Sequence, residues 1–333
     1  MTQLVRDFGE FALIKRLISA LPDAARGPDR VHGQQDDCAW WDHSAGATVV
    51  TTDALVENVH FRLDWTDWRS LGHKMLAVNL SDLASMGVTP RTAFVTLALT
   101  GDEEVADLED LYRGAGELAA IYDVAIAGGD IVRTSGPIVL SVTAIGEQPQ
   151  GDPVMTRSAA QVGDIVMVSG TIGASAAGLR LLQSPRDAAT ADLLIGAHLR
   201  PSPRVSLGQE LLAAGVRSCM DLSDGLNGDL PKILEQSQVG AEIDLDALPV
   251  LSAVRALFPQ NWQELATDGG EDYELLCTVP AEIVDDVMAR AKKVGATMSA
   301  IGEIVALPGL RYRSGNREVD SPGNGAWDHF DIG

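Results

Sequence analysis

Ala47-Thr48-Val49-Val50-Thr51-Thr52-Asp53 decides the fold. Five of the first six residues are β-branched and fit a pleated sheet, so the run predicts a buried strand carrying Asp53 at its carboxyl end. The same form recurs downstream. Val124-Ala125-Ile126-Ala127 breaks at Gly128-Gly129-Asp130, and Ser218 to Leu222 leads into Ser223-Asp224-Gly225. Helical periodicity precedes the first run, at 8 to 21 (Phe8, Phe11, Ile14, Leu17, Ile18 and Leu21 on one face), and helices are predicted between the first two, at 69 to 87 and 103 to 120. Further strands are predicted at 92 to 99 and 137 to 147. Strands alternating with helices predict an α/β protein.

The turn formers Pro149-Gln150-Gly151-Asp152-Pro153 mark a border, predicting an N-terminal α/β domain at 1–150 and a C-terminal α/β domain at 151–333. A chain of 333 residues suits two cores better than one. In the second half, strands are predicted at 164 to 169, 218 to 222, 241 to 245, after 272, and at 298 to 305. Helices are predicted at 174 to 183, 203 to 214, 226 to 236 and 281 to 294. A Gly-Gly-acid element occurs in each half, at 128 to 130 and at 269 to 272, too short to prove a repeat.

The net charge of −22 leaves no excess of Lys and Arg to displace counterions from phosphates, which argues against nucleic acid or an anionic membrane as partner. Cys38, Cys219 and Cys277 are odd in number and lack the paired spacing of zinc sites, so reduced thiols are expected. Asp7, Glu10, Lys15 and Arg16 interrupt any signal-peptide core, and no stretch reaches the length of a membrane span. A cytoplasmic setting is the expectation.

Six acidic segments sit at the edges of apolar runs beside Gly, Ser or Thr: Asp36-Asp37, Thr51-Thr52-Asp53, Asn79-Leu80-Ser81-Asp82, Gly128-Gly129-Asp130, Asp221-Leu222-Ser223-Asp224-Gly225 and Gly269-Gly270-Glu271-Asp272. Any one alone is explained by a helix cap or a turn. Together they resemble strand-end carboxylates converging on a ligand crevice. Two carboxylates about 4 Å apart repel by roughly 4 kcal/mol at an effective dielectric of 20, so such a cluster needs protons or cations. Oxygen-only ligands select hard ions, Mg²⁺ first, and Mg²⁺ shares its remaining positions with phosphates. None of the five lysines stands in a Walker A sequence, and protein-kinase signatures are missing. A phosphotransferase with these features would rely on metal and backbone in place of a phosphate-binding lysine.

In this order the segments resemble the thiamine-monophosphate kinase family, of the superfamily that includes aminoimidazole ribonucleotide synthetase and selenophosphate synthetase. The resemblance runs almost end to end. It rests on Asp36 to Ala39, Thr51 to Glu57 with Val59-His60-Phe61, Ala77 to Ala84 and Gly128 to Asp130. In the second half it rests on Thr156-Arg157-Ser158, Ser175 to Leu179, Asp221 to Leu226, Gly269 to Leu275 and Trp327 to Phe330. It implies the two-domain PurM-like fold and a homodimer whose N-terminal domains share a β-barrel. It implies several Mg²⁺ ions held by Asp36, Thr51, Thr52, Asp53, Asp82, Asp130, Asp221 and Asp224, some through water. ATP, the co-substrate, would meet Gly129, Asp130, Arg157 and Ser223; thiamine monophosphate would meet His60, Glu271 and Trp327. An indole face suits a thiazolium cation. Without the family, Trp327 reads equally as a packing residue, His60 as structural and Arg157 as half of a surface ion pair. The implied reaction is direct in-line transfer of the γ-phosphate, with no general base assigned. The alternatives are a superfamily enzyme with another acceptor, or a non-catalytic Mg²⁺–nucleotide binder. Two positions depart from the family pattern: Gln35 precedes the first Asp pair, and Asn58, which tolerates positive φ, stands where Gly is usual.

Overall fold

The computed structural model describes residues 32, 36–43, 46–149, 153–315 and 317–323. The predicted helix at 8 to 21, Gln35 and Trp327 lie outside them. The first half is a five-stranded sheet in the order β1-β2-β5-β3-β4, built from β1 (Ala39–His43), β2 (Gly46–Val56), β3 (Thr89–Leu99), β4 (Ala125–Arg133) and β5 (Val139–Pro149). Helices α1 (Trp68–Ser85) and α2 (Val105–Ile121) connect its strands. Along β2 burial alternates: Val49, Thr51, Asp53 and Leu55 belong to one face, Val50, Thr52 and Ala54 to the other.

Two details differ from expectation. β2 runs three residues past Asp53, because Asp53 to Val56 stay paired with Val142 to Val139 of β5. The Gly128-Gly129-Asp130 segment does not break its strand but pairs with Phe94, Val95 and Thr96 of β3 across a bulge at Ala93/Phe94. A Cβ on Gly129 would lie 1.7 Å from the Val95 carbonyl oxygen, so only glycine lets the two strands approach this closely.

The second half is a seven-stranded sheet in the order β12-β11-β8-β10-β6-β9-β7. Its strands are β6 (Ile165–Ser169), β7 (Ser218–Asp221), β8 (Gly240–Asp244), β9 (Leu275–Val279), β10 (Met298–Val305), β11 (Gly309–Ser314) and β12 (Arg317–Val319). Its helices are α3 (Ala174–Gln183), α4 (Ala191–Leu199), α5 (Val205–Ala214), α6 (Leu226–Ser237), α7 (Ser252–Leu257), α8 (Trp262–Thr267) and α9 (Val284–Lys293). Sequence periodicity did not show α4, α7, α8, β1, β11 or β12. Most of these are too short for a period to develop, and α4 is apolar on nearly every side.

One core joins the halves. Val205, Leu207, Leu211 and Leu212 of α5 share an apolar cluster with Leu76, Leu80, Leu83 and Ala84 of α1. Gly208 sits so close that a Cβ there would meet the Ala84 carbonyl oxygen at 1.9 Å. Helix α1 is thereby enclosed by its own sheet, by α2 and by the second half. It nevertheless carries Lys74, Asn79, Ser81 and Ser85 as buried polar residues. Buried polar groups need partners: Lys74 and Ser85 find theirs in the segments around Glu271 and Asp37, and Asn79 in β2 and its own helix. Among the described residues, no helix is long and apolar enough to cross a membrane.

Candidate active site

The polar side chains of α1 face the middle of β2 and the end of β7. Thr51 Oγ1 donates to Asp82 Oδ2 at 2.5 Å, and the Asp53 backbone N–H donates to Asn79 Oδ1 at 3.1 Å. Asp221, the last residue of β7, is buried. Asp37 accepts from Ser85 Oγ and from the Arg157 guanidinium, whose Nε lies 3.0 Å away. Asp37, Asp82 and Asp221 each place a carboxylate oxygen within 4.8 Å of the others.

Such crowding shows in the acidities. Burial first, then the charges of Asp53, Asp221 and Asp37, push the Asp82 carboxyl well above the usual range. Burial, then Asp37, does the same to Asp221. The Ser81 hydroxyl beside Asp221 offsets part of this, although that buried oxygen completes no full hydrogen bond. Arg157 brings one positive charge against four carboxylates. A hard divalent cation fits this donor set: it would satisfy oxygens that otherwise repel by roughly 4 kcal/mol per close pair.

The second half closes on the cluster through two loops. Ser223-Asp224-Gly225 precedes α6, and Gly269 to Glu274 precedes β9. The Glu271 N–H donates to the Ser223 carbonyl at 2.8 Å and the Tyr273 N–H to that of Leu222 at 2.9 Å. A Cβ on Gly270 would lie 2.4 Å from the Ser223 carbonyl oxygen, so glycine sets the loop spacing. Glu271 and Tyr273 hold φ of +64° and +50°, a strain of about 1–3 kcal/mol each that the surrounding packing must enforce. Beneath the loop, buried Asp229 accepts from the N–H groups of Ser223 at 3.0 Å and Asp224 at 2.9 Å. Lys232 bridges Asp229 at 2.9 Å and Asp224 at 2.7 Å. Burial lifts Asp229 to about 6 against the pull of Lys232.

At the other end lies a polar corner. His60 Nδ1 accepts from the Val56 N–H at 3.0 Å, and Asn58 in the same turn has φ +64°, as its side chain permits. Lys74 Nζ is 2.9 Å from Glu271, and His198 Nδ1 is 3.3 Å from it.

Of the residues singled out by sequence, Thr51, Asp53, Asp82 and Asp221 surround one point, with Asp224, Ser223 and Arg157 in the adjoining loops. Asp36 accepts instead from the Arg157 backbone N–H at 2.7 Å. Thr52 turns to the opposite sheet face, where its hydroxyl donates to the Val142 carbonyl at 3.1 Å. Asp130, paired with Thr96, shares that face on the exposed edge strand. Sequence reasoning quoted Asp37 and Asn79 within their segments without giving either a role, weighed Lys74 and Lys232 only as lysines outside a Walker A sequence, and passed over His198 and Asp229 altogether. Asp37 was visible as the second member of its pair. A polar stripe at 74, 81, 82 and 85 along a helix with the apolar run Met75 to Val78 was a signal for Lys74. A separate cavity of about 250 Å³, lined among others by Trp65, Leu181, Arg186 and Ile195, shares none of these residues.

Family models agree with the two sheets: AIR synthase related protein, N-terminal domain, matches residues 35–148 and the C-terminal domain matches 161–314. The thiamine-monophosphate kinase of Escherichia coli (strain K12) is 40% identical over 329 residues, 97% of this chain and 98% of its own length. The chain belongs to the thiamine-monophosphate kinase family. The Bacillus subtilis thiamine-monophosphate kinase is 41% identical over 255 residues, 75% of this chain and 78% of its own. Among solved structures, AaThiL complexed with AMPPCP and TMP matches with TM-score 0.85 and 30% identity, covering 99% of both chains. Membership in the thiamine-monophosphate kinase family accounts for the mixed α/β, two-domain PurM-like fold.

Proposed function

We propose that the chain phosphorylates thiamine monophosphate to thiamine diphosphate, using ATP and Mg²⁺. The observation that carries this reading is the convergence of Asp37, Asp82 and Asp221 within 4.8 Å at the junction of the two halves, in a family whose members carry that activity in their name. Asp37, Asp53, Asp82 and Asp221 form the core of the metal site, flanked by Thr51 and Asp224; Asp36, held by the Arg157 backbone N–H, and Thr52 and Asp130, on the opposite sheet face, stand outside it. Bound Mg²⁺ supplies positive charge to phosphate oxygens. Gly129, Arg157 and Ser223 take the nucleotide; His60, Glu271 and Trp327 take thiamine monophosphate.

An oxygen of the thiamine monophosphate phosphate forms a bond to the γ-phosphorus while the bond to the β,γ-bridging oxygen breaks and ADP leaves. That nucleophile is ionised near neutrality, so the chain needs no general base, and the residues serve to position two anions and balance their charge. The division near residue 150, the cytoplasmic setting and a homodimer belong to the same reading. The dimer is supported by the sheet face turned away from α1 and α2. There Trp41 and Phe94 are 40% and 41% exposed, beside Thr52 and Asp130, and a second copy laid on it would bury them in a barrel.

A panel of acceptors with ATP and Mg²⁺ tests this reading: ADP must form with thiamine monophosphate and not with thiamine. ADP formation on thiamine instead would refute the acceptor; no dependence on either would favour a nucleotide-binding role.

A further inference from the structure

Lys74 is 2% exposed, on a helix of the first half, and a lysine in that position needs a strong reason to be there. Its ammonium lies 2.9 Å from both carboxylate oxygens of Glu271, in a loop of the second half, and 3.4 Å from the His60 carbonyl oxygen. One side chain therefore ties together His60 and Glu271, two of the three residues read above as contacts to thiamine monophosphate, across the seam between the halves. His198 on α4 adds a third hold. Its Nδ1 is 3.3 Å from Glu271 Oε2 and 3.0 Å from Ser175 Oγ, and the ring is itself buried.

The partners matter because Glu271 is strained. Its φ of +64° aims the side chain where an unstrained backbone would not, and a flexible carboxylate would lose that aim. A carboxylate offers about four lone-pair positions. Lys74 and His198 engage it from the protein side, while 22% of the side chain stays accessible, room for a further donor. Lys74 is outside the cluster of Asp37, Asp82 and Asp221, so its work is separate from metal binding.

We propose that Lys74, assisted by His198, is a positioning residue for the phosphoacceptor. It locks the Glu271 carboxylate and the His60 turn into one geometry, so that Glu271 receives an N–H donor of an aromatic amine such as the aminopyrimidine of thiamine monophosphate. This inference rests on the reading of Glu271 as an acceptor contact.

Steady-state kinetics of Lys74→Met, Glu271→Gln and the double variant separate the two ideas. Expected for Lys74→Met is a rise of about tenfold or more in KM for thiamine monophosphate, the scale of one positioned hydrogen bond, with KM for ATP within about twofold of the parent. Lys74→Arg, which keeps the charge, should recover part of the loss. In the Glu271→Gln background, Lys74→Met should add nothing, because the group it positions is gone. The double variant buries no unpaired charge, so it carries the test even if Lys74→Met alone does not fold. Glu271→Gln without effect on KM for thiamine monophosphate would overturn the acceptor reading itself. A Glu271→Gln defect with a normal Lys74→Met, or a double variant worse than Glu271→Gln, would overturn the positioning role and leave the acceptor reading in place.

Discussion

Thr51 and Asp82 meet hydroxyl to carboxylate at 2.5 Å, joining the middle of β2 to the last turn of α1. That contact fixes where the first half presents negative charge, and Asp221 at the end of β7 brings the charge of the second half to the same place. The site is therefore a product of how the halves pack, and its main physical problem is repulsion.

Replacing Asp221 or Asp53 by Asn should lower turnover by at least about 100-fold, the scale of removing one preorganised electrostatic contact at a transferring phosphoryl group. The fold should survive, since Asn keeps the volume and relieves repulsion. Melting in EDTA should show each variant at or above the parent Tm, and normal turnover would sink the metal assignment.

Removing divalent metal should destabilise the parent. Mg²⁺ at a hundredfold excess over its Kd adds about 2.7 kcal/mol, read as an upward Tm shift that EDTA reverses. Asp82→Asn should lose most of that shift; an equal shift in the variant would place the metal elsewhere.

Two buried groups give opposite pH signatures. Burial, then Lys74, holds His198 down to about 4 from 6.5, so its neutral form stabilises the fold above 6.5 and that stability is lost as pH falls towards 4. The amount is about 3 kcal/mol. Asp272 accepts from the Gly173 and Ser175 N–H groups, yet burial lifts it to about 7 from 3.8. Its protonated form is the favoured one, so stability falls as pH rises from about 4 through 7. Denaturant titrations from pH 4 to 8 should show His198→Gln flattening the acid-side loss and Asp272→Asn flattening the loss on the rise.

Gly270→Ala should cost stability and turnover together, because the new Cβ would lie 2.4 Å from the Ser223 carbonyl oxygen and must part the two loops, at about 1–3 kcal/mol. Gly116, on α2 with open space around it, is the control: Gly116→Ala should be neutral or gain up to about 1 kcal/mol. Equal effects at both positions would contradict the account of loop spacing.

The strands and helices that enclose the cluster were legible because their signals are local. β-branched runs, helical periods and carboxylates beside Thr, Ser or Gly at 51 to 53, 79 to 82 and 221 to 225 mark elements and candidate ligands without reference to the fold. The sequence was silent on what depends on distant pairing. Gly128 and Gly129 read as a break, but β3 supplies the partners that keep them in a strand. Lys74 and Glu271 are 197 residues apart, and neither says which charge it meets. Asp37 and Asp36 are indistinguishable in a dipeptide; the Arg157 side chain and Ser85 take one, and the Arg157 backbone the other.

Formation of thiamine diphosphate from ATP, Mg²⁺ and thiamine monophosphate, measured side by side for the parent and Asp221→Asn, tests the central claim most directly. The account predicts stoichiometric thiamine diphosphate and ADP with the parent and almost none with the variant. Thiamine diphosphate made equally well by Asp221→Asn, or no thiamine diphosphate from the parent, would contradict it.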